Sequence, residues 1–176
     1  MITLIGGQSS FFSGELLHYT AGDKSEALSI MREAAQWLID TGKPLWDIND
    51  FEPEQFSNPV DQFVVLWSGD EAAAAVILSF EDKLIWPDIP VDTSGFIHKL
   101  AVRRKHSGQG IASKLIEHTT QICKSKGINA LRLDCDAERE GLRALYERCG
   151  FTLKEVKVFQ TERYGTLSVA CYELFF

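Results

Sequence analysis

The stretch "GFIHKLAVRRKHSGQGIASKL", residues 95 to 115, constrains this chain more than any other. It joins an apolar run, a basic segment with a Gly-x-Gly, and the start of a helical pattern. "GFIHKLAV" reads as a buried strand. From Gly110 onward, Ile111, Ala112, Leu115, Ile116, Thr119, Ile122 and Cys123 recur at helical spacing, and Gly127 supplies the stop. A strand that enters a helix through two glycines brings backbone N–H groups to the helix start. There they lack intrahelical acceptors and carry partial positive charge. Gly108 and Gly110 have no Cβ, so an anion can approach the backbone closely. Arg103, Arg104 and Lys105 stand ready for further phosphate contacts. The competing reading is a glycine turn with solvated charges.

The basic run is unusual because the chain as a whole is acidic. Its 176 residues carry 18 Lys and Arg against 25 Asp and Glu, a net charge of −7. That balance argues against a nucleic-acid binder, which needs a broad basic face. It points instead to a small local anion. The four cysteines, Cys123, Cys135, Cys149 and Cys171, show neither C-x-x-C spacing nor a zinc pattern with nearby histidines. No metal is expected, and the thiols read as buried and free, which suits a cytoplasmic protein. The start, "MITLIGGQSSFFSGELL", has no basic n-region and is not read as a signal peptide. No apolar run approaches a membrane span.

Around this centre the elements alternate. "GELLHYTAG" reads as a strand. "DKSEALSIMREAAQWLIDTG" reads as an amphipathic helix, with Asp23 and Glu26 spaced like a capping box and Gly42 and Pro44 as stops. "FEPEQF" suggests a helical turn. "QFVVLWSGDEAAAAVILSF" suggests a hairpin about Ser68–Asp70, although the Ala72–Ala75 run also suits a helix. "NALRLDC" alternates as a strand and "AEREGLRALYERCG" reads as a helix. "FTLKEVKVF" and "TLSVACYELFF" read as final strands joined through Tyr164–Gly165. The order predicts an α/β (α+β) fold with a central mixed sheet flanked by helices.

Two other phosphate motifs fit poorly. Neither glycine begins a Walker loop. A dinucleotide fingerprint would need a third Gly or Ala where Ser113 stands, although Asp134 falls about where its ribose-binding acid would lie.

Together, "HKLAVRRKHSGQGIASKLIEHT", "ALRLDC" and "GLRALYERCGF" resemble the GNAT acetyltransferase superfamily over residues 94 to 152. That family carries Arg/Gln-x-x-Gly-x-Gly/Ala after its fourth strand and a later Leu-Tyr-x-x-x-Gly-Phe. Here Lys105 replaces the first Arg or Gln, and Arg139 stands where many relatives have Asn. The resemblance implies one GNAT domain over 1–176, with acceptor-side helices in 1–93, the acetyl-CoA core in 94–152 and a hairpin in 153–176. Its sheet should be mostly antiparallel and splayed near the middle.

The same resemblance implies that acetyl-CoA is the cosubstrate. Leu100, Ala101 and Val102 should pair with its pantetheine arm. Its pyrophosphate should lie on Lys105 to Gly110, that is on Lys105, His106, Ser107, Gly108, Gln109 and Gly110, backed by Ile111, Ala112 and Ser113. Arg103, Arg104 and Arg139 are further contacts. Tyr146 is the expected acid toward the leaving thiolate. His98 is the expected base, on one strand face with Leu100 and Val102, and Asp134 is the runner-up, against a reading as helix cap or solvated carboxylate. Trp46 and Asp47, with Phe51, are expected to hold a cationic amine, while Trp37 reads as core.

The function expected is acetyl-CoA-dependent transfer to an amine of a small molecule or peptide by direct attack in a ternary complex. The alternatives are a non-catalytic acyl-CoA sensor and an NAD-dependent oxidoreductase. The partners expected are acetyl-CoA and an amine, without nucleic acid or membrane, and a homodimer is left open.

Overall fold

The computed structural model describes residues 10–12, 15–56, 61–162 and 165–176. The first nine residues and Tyr164, on which two of the sequence expectations fall, lie outside them. The chain forms two compact units, 1–77 with 99–115 and 78–98 with 116–176.

The first unit contains strands β1 (Ser10–Phe12) and β2 (Glu15–Ala21), helix α1 (Lys24–Asp40) and strand β3 (Gln62–Ser68). Short 3-10 turns occupy Ile48–Phe51 and Pro53–Gln55. Most of β4 (Glu71–Ser79) and the end of β5 (Gly95–Val102) complete its strands. A 3-10 turn at Arg104–His106 then leads into helix α2 (Ile111–Ser125). β1 pairs antiparallel with β2, and β2 with β3.

Helix α1 begins where the Asp23 carboxylate accepts the Glu26 N–H at 3.3 Å, the expected cap. Ala27, Leu28, Ile30, Met31 and Ala35 form its buried stripe. That stripe packs on Phe51, Phe63, Val65, Ala72, Ala75, Ile77 and Ala101. The alanine run lies in β4, and Ala72 to Ala75 are buried. A strand that is apolar on both faces overrides alanine's helical preference, because small side chains fit a tightly packed sheet. Trp37 departs from expectation: it is 38% exposed rather than core.

The second unit contains the end of β4, the start of β5, most of α2, strand β6 (Ala130–Asp136), helix α3 (Glu140–Arg148), and strands β7 (Thr152–Thr161) and β8 (Gly165–Phe175). β5 runs parallel to β6, and β6–β8 and β8–β7 are antiparallel. The sheet order is β1-β2-β3-β4-β5-β6-β8-β7, mixed and mostly antiparallel as expected. β7 forms an edge and carries Lys154 and Glu155 among its exposed residues, which discourages edge-to-edge pairing.

The β5–β6 ladder is short. It matches Gly95–Ile97 with Leu131–Leu133, and His98 and Asp134 are the next residue on each strand. Lys99 then adopts a left-handed φ of 53°. A non-glycine residue there interrupts the extended backbone. The simple alternation that would put His98, Leu100 and Val102 on one face is broken at that point.

Candidate active site

The glycine loop belongs to the first unit. Gly108 and Gly110 have φ of 78° and 76°, the left-handed turn that lets the chain enter α2. A Cβ built at Gly108 would meet nothing within 4 Å, so the loop surface there is open. Lys114 N–H donates to the Gly110 carbonyl at 3.2 Å, which fixes the first helical turn. The N–H groups of Ile111 and Ala112 therefore precede any intrahelical acceptor.

Two details narrow the expected cradle. His106 N–H donates to the Arg103 carbonyl at 2.9 Å and Ser107 N–H to that of Arg104 at 3.1 Å. Their amides are spent inside the 3-10 turn. The amides of Gly108, Gln109 and Gly110 follow this turn and lead into the helix.

Most of the basic side chains are also committed. Arg103 places NH1 2.5 Å from Glu33 Oε2 and NH2 3.5 Å from Glu26, and its Nε donates to the Ala72 carbonyl at 2.8 Å. Lys105 Nζ lies 2.5 Å from Glu71 Oε2, and Nε2 of buried His106 lies 3.2 Å from the same oxygen. The Lys105 hydrogen bond, with help from His106, holds the Glu71 carboxyl below its ordinary range. The Arg104 guanidinium stacks 4.6 Å from the exposed Trp37 ring, and the Arg104 backbone N–H donates to Glu33 Oε1 at 3.1 Å. The loop's cations thus brace the loop against α1 and β4. Arg103 and Lys105, two of the three cations expected to reach phosphates, are paired here with Glu33 and Glu71.

A polar cleft of about 450 Å³ lies beside these pairs, lined by Glu26, Glu33, Asp70, Glu71, Arg103 and Lys105 with Trp67 and Ala72. Trp46 and Asp47 do not line it. The Trp46 and Phe51 rings stand edge-to-face, and the Lys99 ammonium lies 5.3 and 5.5 Å from their centroids. The aromatic pair expected to receive a substrate cation therefore holds one of the chain's own. Asp47 caps a 3-10 turn, accepting the Asn49 N–H at 2.8 Å.

The second unit gathers the acid–base groups. His98 and Asp134 offer donor atoms within 4.8 Å of each other, and a third residue, Asp82, completes the group. Asp134 lies within β6 and caps no helix, since α3 starts after Arg139. The Arg139 side chain pairs with Asp136, Nε to Oδ2 at 3.1 Å. Tyr146 lies on α3, 6% exposed, with Phe151 and Tyr172 rings 6.0 and 6.3 Å away. Burial, then the charges of Cys135 and Asp134, push its phenol well above the ordinary range. It stays protonated at any physiological pH.

Asp82 is the functional candidate that the sequence did not reveal. "FEDKLIWPD" has no motif, and only the fold brings that residue beside His98. Cys123, Cys135 and Cys171 are buried and free, and Cys149 is free and half-buried. Burial raises the Cys135 thiol to about 12 and the Cys171 thiol to about 11, so neither is an activated nucleophile.

Residues 30–151 match the acetyltransferase (GNAT) family. The chain belongs to the GNAT family. An uncharacterized N-acetyltransferase of Bacillus subtilis (strain 168), YesJ, is 26% identical over 137 residues, which covers 73% of this chain and 76% of that protein. A GNAT-family acetyltransferase of Listeria monocytogenes shares the fold with a TM-score of 0.71 at 20% identity, over 96% of this chain and all of that one (100%). One from Elizabethkingia anophelis, with acetyl-CoA bound, gives a TM-score of 0.57 at 15% identity, over 72% of this chain and 85% of that one. No helix among the described residues is long and apolar enough to cross a membrane.

Proposed function

We propose that this GNAT protein transfers the acetyl group of acetyl-CoA to the amine of a small molecule or peptide, by direct attack while both substrates are bound. The observation that carries the reading is the left-handed Gly108–Gly110 turn that feeds α2 with open backbone amides, inside the family match. The pyrophosphate takes the N–H groups from Gly108 into the helix, and the edge of Leu100 to Val102 offers its amides to the pantetheine arm. Arg104 and Arg139 remain candidates for the outer phosphate.

His98 takes the proton of the incoming ammonium. The amine nitrogen then forms a bond to the thioester carbon, and the C–S bond breaks with its electron pair leaving on sulfur. Tyr146 meets that sulfur as a hydrogen-bond donor. Burial keeps the phenol protonated, so it stabilises the developing thiolate as a donor, and the second proton of the attacking nitrogen, shed as the amide forms, passes to that sulfur so that free thiol leaves. The buried and free cysteines support a cytoplasmic setting.

The test is thiol release from acetyl-CoA across a panel of primary amines, followed by mass analysis of the products. Acetylated amine in step with thiol release is the expected result. Tight acetyl-CoA binding with no release across the panel would convert the assignment to an acyl-CoA sensor. NAD binding with hydride transfer would replace it with an oxidoreductase.

A further inference from the structure

Asp82 sits in the turn that follows β4, and the turn is anchored. Its Oδ1 accepts the N–H of Leu84 at 3.1 Å and of Ile85 at 2.9 Å, and its carbonyl accepts that of Trp86 at 3.0 Å. Trp86 packs in a cluster with Phe96 of β5 and Cys171 of β8, joined by Ile85, Ile89 and Val169. Lys157 Nζ donates to the Ile85 carbonyl at 2.6 Å. One oxygen of the carboxylate is therefore fixed by two amides, which aims the other. That other oxygen, Oδ2, is buried and has no hydrogen-bond partner among the described residues. A buried carboxylate oxygen without a donor is costly, and structures retain one where it does something.

The nearest chemistry is His98. Asp82, His98 and Asp134 offer donor atoms that all lie within 4.8 Å of one another. Asp134 has further interactions of its own, whereas Asp82 has an oxygen to spare. Other ionisable groups surround them: Cys135 of β6, Cys171 of β8 and Tyr146 of α3 all feel Asp134, and Cys171 also feels Asp82, Glu155 and Lys157. Lys99 follows His98 in the chain.

We propose that Asp82 is a positioning residue for His98, its Oδ2 taking one ring N–H so that the opposite ring nitrogen is held as the proton acceptor. The inference rests on His98 being the base. In the step, an N–H bond of the ammonium breaks, its electron pair stays on the amine, and the proton goes to the free imidazole nitrogen. The Asp82 carboxylate offsets the positive charge that this creates, as an acid partner does for any catalytic imidazole.

Asp82→Asn tests this without dismantling the turn, because the asparagine Oδ1 still accepts the Leu84 and Ile85 amides. The imidazole of His98 is titrated by NMR, assigned with His98→Gln, and the pH dependence of kcat is measured beside it. In Asp82→Asn the His98 titration should move down, because the variant removes the negative charge beside the imidazole. kcat should fall about tenfold with the KM for both substrates held, and the acidic limb should move with the imidazole. Asp82→Glu should restore part of the shift. In the His98→Gln background Asp82→Asn should cost nothing more.

An unmoved imidazole titration in Asp82→Asn overturns the proposal, whatever the kinetics. If His98→Gln keeps the wild-type acidic limb and rate, the base assignment falls instead, while the titration still reports on the pair. Activity lost to a chelator and restored by a divalent cation would replace the positioning role with a metal site.

Discussion

In the glycine loop, Arg103, Lys105 and His106 each end on a carboxylate, Glu33 or Glu71. In the second unit a buried oxygen of Asp82 has no donor among the described residues, and His98 and Asp134 stand where the β5–β6 ladder stops. The loop satisfies its side chains and leaves backbone amides open. The cluster satisfies its backbone and leaves a side-chain oxygen open. Open amides on a braced loop suit a ligand whose charge is permanent and whose position must be fixed. Open, closely spaced titratable groups suit a proton that must move. The two regions therefore predict opposite mutational signatures, binding at the loop and turnover at the cluster.

The largest expected effect tests the cluster half of that contrast. His98→Ala should lower kcat/KM by about 10²-fold, near 2.7 kcal/mol, with acetyl-CoA affinity unchanged. Stopped-flow or steady-state rates at saturating amine, beside calorimetry, measure both. A loss in affinity with kcat intact would erase the distinction. Tyr146→Phe should fall in the same class with a similar loss in kcat, since the ring keeps its place against Phe151 and Tyr172.

Gly95→Ala asks whether the ladder beneath His98 is what holds it. A Cβ at Gly95 would collide with Cys123 Sγ and press on Leu131 Cδ1 at 3.0 Å and Leu78 Cδ1 at 3.2 Å. Overpacking of this kind costs about 1–3 kcal/mol, which thermal and denaturant unfolding can read. Pairing Gly95→Ala with Cys123→Ala should recover much of it. A variant as stable as wild type would mean that this junction is looser than its distances imply.

What could be read from the sequence, and what could not, divides along the same line. The α1 cap at Asp23, the helical spacing after Gly110 and the Tyr146 motif are local patterns, and the fold bears out the elements they implied. The bracing of Arg103 by Glu33 crosses 70 residues, and no periodicity encodes it. Lys99 looks like any strand residue, yet its positive φ breaks the alternation. The Trp46 and Phe51 rings stand beside a cation of the chain itself, Lys99, which their spacing in the sequence does not announce. Asp82 is invisible until β4, β5 and β6 bring it beside His98.

Gly110→Val examines the loop half. Its φ of 76° is one that a β-branched residue resists, and the added side chain would stand at the entry to α2. CoA affinity should fall by more than about tenfold, near 1.4 kcal/mol, with kcat at saturating acetyl-CoA closer to wild type. Calorimetry on folded protein decides it. Equal loss in kcat would mean that the loop takes part in turnover, and the contrast with the cluster would narrow.

The smallest expected effects concern the loop's charges. Lys105 is paired with Glu71 at the surface, so Lys105→Gln should change CoA affinity by less than about threefold, in keeping with the small worth of exposed ion pairs. The pH dependence of the pair follows from its sign. The Lys105 hydrogen bond, then His106, lowers the Glu71 carboxyl below its ordinary value in the folded chain. A depressed carboxylate contributes stability that is fully present above its unfolded pKa and is lost as pH falls through the folded one. Between pH 6 and 8 Glu71 is ionised in both states, so this brace is constant across that range. The ratio of CoA affinities between wild type and Glu71→Gln should therefore stay flat over that window and shrink only in acid. Calorimetric titrations at matched ionic strength give the ratio directly. A ratio that changes between pH 6 and 8 would assign the titration to the half-shared partner, His106, and the loop would then carry a moving proton of its own.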